Sequence, residues 1–567
     1  MPRAALAAAL AVSLLLAAPL LLRAQGVCDG RPIRAIDIDA RNVFSSDDSL
    51  IPRFVRTIGN AVNWRTREET IRRDLLFAVG DACDPRRLSE TERLLRARGY
   101  IRSALVVPIA TVDGGVRILV QTRDEFSLEV RATVENGGDV PLRRFVLTED
   151  DVLGRGIHGQ AFYNSFGRRA AVYGDVLDHH FLNRRLEAEL TFGKSEVGPV
   201  GEVSLRRAFE SDFDRVAWRV SARYRKEPFP LVSTALGTVL QPTVRAGADL
   251  GAARRSGVPG QLQVVGMVLS YDRALAEGVP LAPTPDLDST AGALLAGRFQ
   301  ERRRMRLHLL VGARKLVFHA HRGVDAVRGI EDVPEGAQAG FVLGKSLFGG
   351  GGLDHDWFSA FEVSTGTDVG GRLLVFTRGK VEGRYLESQG KWDGILGDAQ
   401  VLVYDIGPRT TTVLAADAAG GWNTRTPFQL LLAGGEGLRG YGSDALPVGR
   451  RIVLRGEHRY FLGTAFGFAD VGAAVFAETG RGWLGDAAFG ASTGMFGTVG
   501  VGLRVAVPHG SRRTWRLDLA VPLSRGLGPE LRLAIGQQFG IFHGEPQDVV
   551  RSRERISSVT VFDFPRF

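Results

Sequence analysis

Ala217-Trp218-Arg219-Val220-Ser221-Ala222-Arg223-Tyr224-Arg225 alternates without a break. Successive side chains of an extended chain point to opposite sides, so Trp218, Val220, Ala222 and Tyr224 share one face and Arg219, Ser221, Arg223 and Arg225 the other. The pattern recurs in Arg184–Gly193, where Leu186, Ala188, Leu190 and Phe192 oppose Arg185, Glu187 and Glu189, and in Trp515–Val521, where Leu517 and Leu519 oppose Arg516 and Asp518. Between Phe126 and Phe539 there are about eighteen to twenty such segments, each roughly ten residues long. A secreted β-sandwich or propeller alternates too, but its polar face looks out to water. Here the repeated Arg and Glu on one face and an export signal favour lipid outside and a wet lumen inside, a mainly β chain forming a transmembrane antiparallel β-barrel over 126–539. Residues 228–260 and 320–357, the latter with Gly349-Gly350-Gly351-Gly352, read equally as loops or strands.

The export signal is Met1–Ala24: Arg3, an apolar run from Ala4 to Leu22, then Leu22-Arg23-Ala24 with cleavage expected before Gln25. Gln25-Gly26-Val27 is a poor context for a lipoprotein cysteine at Cys28, and no later stretch is long and apolar enough for a transmembrane helix. The 71 glycines, with 4 methionines and 2 cysteines in 567 residues, suit short strands and turns. A formal charge of +9 is small for this length and gives no case for nucleic acid. In an oxidising compartment Cys28 and Cys83 are expected to form a disulfide, with free thiols as the alternative.

Residues 28–125 have a different grain. Ile36, Ile38 and Ala40 alternate with Asp37 and Asp39, as in a strand, and Asp47–Asn60 reads as a weaker helical segment. Thr66-Arg67-Glu68-Glu69 has the pattern of a capping box, followed by Ile71, Leu75, Leu76 and Val79 at helical spacing. Asp84-Pro85 opens another helix, whose stripe is Leu88, Thr91, Leu94 and Leu95 and whose end is Gly99. Leu105–Val112 and Val116–Gln121 flank the hairpin signal Asp113-Gly114-Gly115. Strand, helix, helix, strand, strand makes a small α+β module. It resembles a POTRA domain, including the Gly99-Tyr100 step, and nothing in it looks catalytic. An edge strand of such a module accepts an extended peptide by strand addition; the bland reading is a spacer.

Leu531-Arg532-Leu533-Ala534-Ile535-Gly536-Gln537-Gln538-Phe539 reads as the closing strand, with Leu531, Leu533 and Ile535 toward lipid, Gly536 small and Phe539 at the interface. It resembles the signal that ends bacterial outer-membrane barrels. The polar, basic tail 540–567 follows it and is expected as a C-terminal periplasmic extension.

The chemistry concentrates around Gly434-Gly435-Glu436-Gly437-Leu438-Arg439-Gly440-Tyr441-Gly442, a loop with one fixed cation. Two candidate strands follow. In Arg450–Leu462, Arg451, Arg455, Glu457 and Arg459 oppose Ile452, Leu454, Tyr460 and Leu462; in Thr464–Phe476, Asp470 shares a face with Gly472. An acid facing lipid is costly, so Glu457 and Asp470 belong in the lumen, within reach of an inward-folded arginine able to pair in bidentate fashion. Leu438-Arg439-Gly440-Tyr441, a strand glutamate and Phe468-x-Asp470-x-Gly472 resemble the BamA/TamA outer-membrane assembly superfamily, also called the bacterial surface antigen family. Leu147-Thr148-Glu149-Asp150-Asp151-Val152-Leu153-Gly154-Arg155-Gly156 is similar to that family's early-barrel segment.

The resemblance implies about sixteen strands with an imperfect seam between first and last. It implies that Arg439 is the loop arginine, with Glu457 and Asp470 as wall partners and Gly472 beside them. It further implies a bacterial outer-membrane location with the N-terminal module in the periplasm. Partners would be the lipid bilayer, unfolded outer-membrane or secreted polypeptide clients, and periplasmic or lipoprotein proteins, with no nucleic acid. Insertion of barrel proteins is the first function expected; a polypeptide-secreting pore, or a small-solute porin, is the alternative. No Gly-x-Ser-x-Gly, His-Glu-x-x-His or P-loop is present, so no enzyme and no cofactor are expected. His319-x-His321 and His179-His180 have no further ligands beside them in sequence, and no metal site is expected.

Overall fold

In the computed structural model the described residues are 27–28, 30–45, 48, 50–134, 142–166, 169–347, 355–433, 437–442, 446–524, 526–536, 539 and 546–553. The leader and Gly349–Gly352 lie outside the described residues. The chain divides into two compact units, residues 1–128 with 149–157, and residues 129–148 with 158–567.

In the first unit β1 (Ile33–Arg41), α1 (Arg53–Ala61), α2 (Glu68–Asp74), α3 (Pro85–Ala97), β2 (Ile101–Ala110) and β3 (Val116–Asp124) build a three-stranded sheet of order β1-β3-β2, with β1 parallel to β3. Alternation in β3 buries Val116, Ile118 and Val120 against Ile71, Leu88 and Leu95 from the helices. The Asp84 carboxylate caps α3 by accepting from the Arg86 amide at 2.9 Å. Cys28 and Cys83 are disulfide-bonded inside this core. Closing a loop of this sequence separation, 55 residues, is worth about 4 kcal/mol on chain-entropy grounds.

The expected capping box does not form. Arg67 holds the N-cap position of α2 with no side-chain cap, because the Thr66 hydroxyl donates instead to Asp151 at 2.9 Å. The helix also stops at Asp74, so Val79 lies beyond it and is exposed. Asp151 belongs to the stretch that resembles an early-barrel segment. Leu142–Glu149 is a barrel strand, whereas residues 151–156 pack on α2: the Arg67 amide donates to the Gly154 carbonyl at 3.0 Å, and the Thr70 hydroxyl to the same oxygen at 2.9 Å. Gly154 and Gly156 have φ of +72° and +68°, and a Cβ on either would strike the Arg65 carbonyl or the Tyr100 hydroxyl.

Among the described residues the second unit is a closed barrel of twenty antiparallel strands, from Leu128–Val134 to Glu530–Ile535, with these two adjacent at the closure. Twenty strands replace the sixteen that the resemblance implies. The difference reflects the regions left open in sequence: 228–260 extends one strand (Val216–Ser233) and supplies the whole of the next (Gly237–Val258), and 320–357 contributes to Arg302–Arg322, Ile330–Ser346 and Asp356–Val369. Leu250, Met267, Leu309, Leu414, Leu454 and Val475 are exposed on the outside, the apolar belt that a membrane-spanning barrel offers to lipid. Inside, arginines and acids pack on one another: Arg302 pairs with Asp393 at 2.9 Å, Arg306 Nε with Asp356 at 2.7 Å, and Arg223 with Asp249 at 3.0 Å.

Two expectations about the end of the barrel fail. Leu531 and Leu533 are exposed, but Phe539 does not sit at an interface; it is buried with Val324, Leu374, Tyr404 and Val413. The strand ends at Ile535, and Gly536, with φ of +96°, turns the chain off the strand path. Of the tail, 546–553 is described, and it lies against the barrel interior. Asp548 accepts from Arg451 Nη2 and from the Leu431 amide, each at 3.0 Å, and Val549 is buried among Leu430, Leu438 and Val453. A carboxylate with an arginine and an amide waiting inside is stabilised there, which holds this segment against the wall.

Candidate functional site

The loop between the strands Thr410–Trp422 and Arg450–Ala465 turns inward, and its apolar residues explain why. Phe428, Leu430, Leu432, Leu438 and Tyr441 form one buried cluster with Leu396, Val448 and Val453. Gly437 lies so close to the Leu432 carbonyl that a Cβ would come within 2.3 Å of it, and Gly440 has φ of +84° beside Ala520 and Pro522. Gly434, Gly435 and Glu436 lie outside the described residues. Tyr441 anchors the far side: its hydroxyl donates to the Gly497 carbonyl at 2.7 Å, and its ring meets Phe496 edge-on.

These anchors aim Arg439 at the wall. Its backbone amide and Nε donate to the two oxygens of Glu478 at 2.9 and 2.8 Å. Its Nη1 donates to Glu457 at 3.2 Å and to Asp518 at 3.0 Å. Its guanidinium lies 3.4 Å over the Phe476 ring, and its carbonyl accepts from the Thr498 hydroxyl at 2.7 Å. One side chain thus reaches three strands: Arg450–Ala465, Ala469–Trp483 and Thr514–Pro522. Glu457 also accepts from Arg459 Nε at 2.8 Å and Arg504 Nη2 at 3.0 Å, and Arg504 bonds Asp518 as well. The acids are wholly buried, yet each faces at least two guanidinium groups. This is charge compensation, with no carboxylate left in the environment that acid–base work requires. Removing one partner of such a buried set costs about 3–5 kcal/mol.

The structure brings Leu438, Arg439, Gly440, Tyr441 and Glu457 together and leaves Asp470 elsewhere. Asp470 accepts from Thr464 at 2.8 Å and from the Gly510 amide at 2.7 Å, tying two turns at the other end of its strand. Eight residues of strand, roughly 26 Å, separate it from Glu478. Gly472 sits near it against the Tyr460 carbonyl and Arg504. Sequence reasoning missed Glu478 because the strand was read as Thr464–Phe476, whereas it runs from Ala469 to Trp483. Glu478 keeps the even-numbered parity of Asp470, so the signal was an unbroken alternation carried two turns of the pleat further. Asp518 stood in plain view as the acid opposite Leu517 and Leu519, without anything to link it to Arg439.

No family model matches the sequence, and no curated protein matches it. Among solved structures the chain is similar to BamA from Haemophilus ducreyi lacking POTRA domains 1–3, at 12% identity over 89% of this chain and 84% of that one, with a TM-score of 0.31. It is similar also to CdiB from Escherichia coli, at 13% identity over 90% of this chain and 75% of that one, with a TM-score of 0.41. CdiB from Acinetobacter baumannii follows at 10% identity, 84% and 74% coverage, and 0.34. At these identities and scores the likenesses carry no weight for function. The barrel and its arginine clamp stand on this chain's own residues.

Proposed function

We propose that this protein is an outer-membrane barrel that handles unfolded polypeptide, inserting other barrel proteins through its own strand closure. One observation carries the reading. Among the described residues the strands that meet at the closure, Leu128–Val134 and Glu530–Ile535, cover seven and six residues. By contrast, the strands Gly237–Val258 and Arg302–Arg322 have twenty-two and twenty-one. A tilted strand needs about 9–11 residues to cross a bilayer. Among the described residues these two are the shortest strands of the wall, and an opened edge there would offer a client strand backbone donors and acceptors for pairing. The loop clamp holds Arg450–Ala465, Ala469–Trp483 and Thr514–Pro522 to one another, the last of them beside the closing strand. In this reading Arg439 would couple the lumen loop to the closure. The N-terminal module, set in the periplasm, would receive clients on a sheet edge, and its other partners would be periplasmic or lipoprotein proteins.

The test uses the full chain in lipid vesicles and follows the folding rate of an unrelated, urea-unfolded barrel protein. Wild type is expected to accelerate folding over empty vesicles, and Arg439→Ala to lose most of that acceleration. Heat-shifted gel mobility would first establish that the variant itself is folded. No acceleration by wild type, together with steady ion conductance, would replace insertion with a polypeptide-secreting pore gated by the same loop.

A further inference from the structure

His319 and His321 sit two residues apart near the end of the Arg302–Arg322 strand, a motif that the proposed function leaves unused. Folding supplies the partners that the sequence alone does not. Glu335 comes from the adjacent strand Ile330–Ser346 and Asp368 from the next, Asp356–Val369. His321 Nε2 lies 3.5 Å from Glu335 Oε1 and 3.8 Å from Asp368 Oδ2. One ligand atom from each of these three residues falls within 4.8 Å of the other two. His319 Nδ1 is 2.6 Å from Glu335 Oε1.

We propose that His321, Glu335 and Asp368 bind a divalent transition-metal ion of the zinc class, with His319 positioning Glu335. Ligand bonds of about 2.0–2.1 Å place tetrahedral donor atoms roughly 3.3–3.4 Å apart. The two separations at His321, 3.5 and 3.8 Å, are close to that spacing, and the two carboxylates lie within 4.8 Å of each other, so side-chain adjustment would bring all three onto an ion. The donors are one imidazole nitrogen and two carboxylates, a mixed N/O set that suits zinc and leaves a fourth position open. Charge points the same way. Five other acids of the barrel wall, Asp249, Asp356, Asp393, Glu457 and Asp518, are matched to arginine. Among the described residues the ion-pair partners of Glu335 and Asp368 are histidines alone, and a neutral histidine leaves two negative charges for a dication to balance. A second cluster, His179, Glu187 and Glu210, is the instructive contrast: there Arg206 already bonds Glu187 and occupies the cation's place. An ion at His321 would staple three consecutive strands of the wall together.

The experiment takes the full chain in detergent micelles, stripped with chelator, and titrates it with Co²⁺ followed by competition with Zn²⁺. Visible ligand-field absorption saturating at one Co²⁺ per chain, displaced by one Zn²⁺, is the expected result. His321→Gln and Asp368→Asn should each weaken binding about 100-fold or more, and His319→Gln about tenfold, as for residues that orient a ligand. His179→Gln should bind as wild type does. Heat-shifted gel mobility identifies any variant that fails to fold; Asp368→Asn then carries the test in place of His321→Gln. Absence of a Co²⁺ spectrum in wild type, or a titration unchanged in Asp368→Asn, overturns the site.

Discussion

The two units bury carboxylates in opposite ways. In the N-terminal module Asp124 accepts from the Thr66 amide at 3.0 Å, and Asp151 accepts from the Thr66 hydroxyl at 2.9 Å and from the Gly156 amide. These amide and hydroxyl donors are all neutral. Burial pushes the Asp124 carboxyl up to about 7 and the Asp151 carboxyl up to about 6, with neighbouring acids adding to both shifts. In the barrel Glu457, Glu478 and Asp518 are buried as deeply and are surrounded by arginine. A neutral hydrogen-bonded acid fastens a segment in a way that depends on proton supply. An acid matched to guanidinium fastens it through opposite charge and fails when its partner is removed.

The largest effect should come from breaking the barrel set. Arg439→Ala leaves three buried carboxylates short of a partner and should cost about 3–5 kcal/mol locally, read as lost hydrogen-exchange protection at Leu438 and Tyr441. Adding Glu478→Gln to that variant should restore part of the loss, because it removes one surplus charge. Protection equal to wild type in Arg439→Ala would end the account of the clamp.

Next is the module. A folded-state pKa above the unfolded value means that the contribution of Asp124 is fully present below pH about 4 and is lost as pH rises through about 7. Asp124→Asn should therefore stabilise the module by a few kcal/mol at pH 8 and change little at pH 4. Exchange of the β3 amides in the full chain, corrected for intrinsic rate, measures it. Parallel pH profiles for variant and wild type would dissolve the contrast between the units.

The smallest effect is assigned to Asp470→Asn. It should cost within about 1 kcal/mol, since one hydrogen bond to a turn weakens, and should leave Arg439 in place. Loop exposure like that of Arg439→Ala would instead restore Asp470 to the clamp.

Much of this was legible because period-two alternation survives any detail of packing. Trp218, Val220 and Tyr224, or Leu517 and Leu519, declare an outward apolar face from sequence alone, and Asp84-Pro85 declares a helix start. What was hidden depended on lengths and on distant pairing. A strand read as ending at Phe476 concealed Glu478, and a turn partner 85 residues away took Thr66 from its expected cap. The histidine pair was visible as a motif, but its acids are separated from it by turns whose lengths only folding fixes. Nor did a polar tail announce that Asp548 would find Arg451, 97 residues back along the chain.

That last contact bears on the order in which the molecule is built. Asp548 and Val549 follow the closing strand in sequence, yet they rest inside the ring that this strand completes. The ring must either curl around the segment or admit it through one end after sealing, so chain order alone does not fix the order of assembly. A sealed ring with the Arg451 guanidinium still waiting and one with Asp548 seated on it are distinct products, and only the second is the finished molecule.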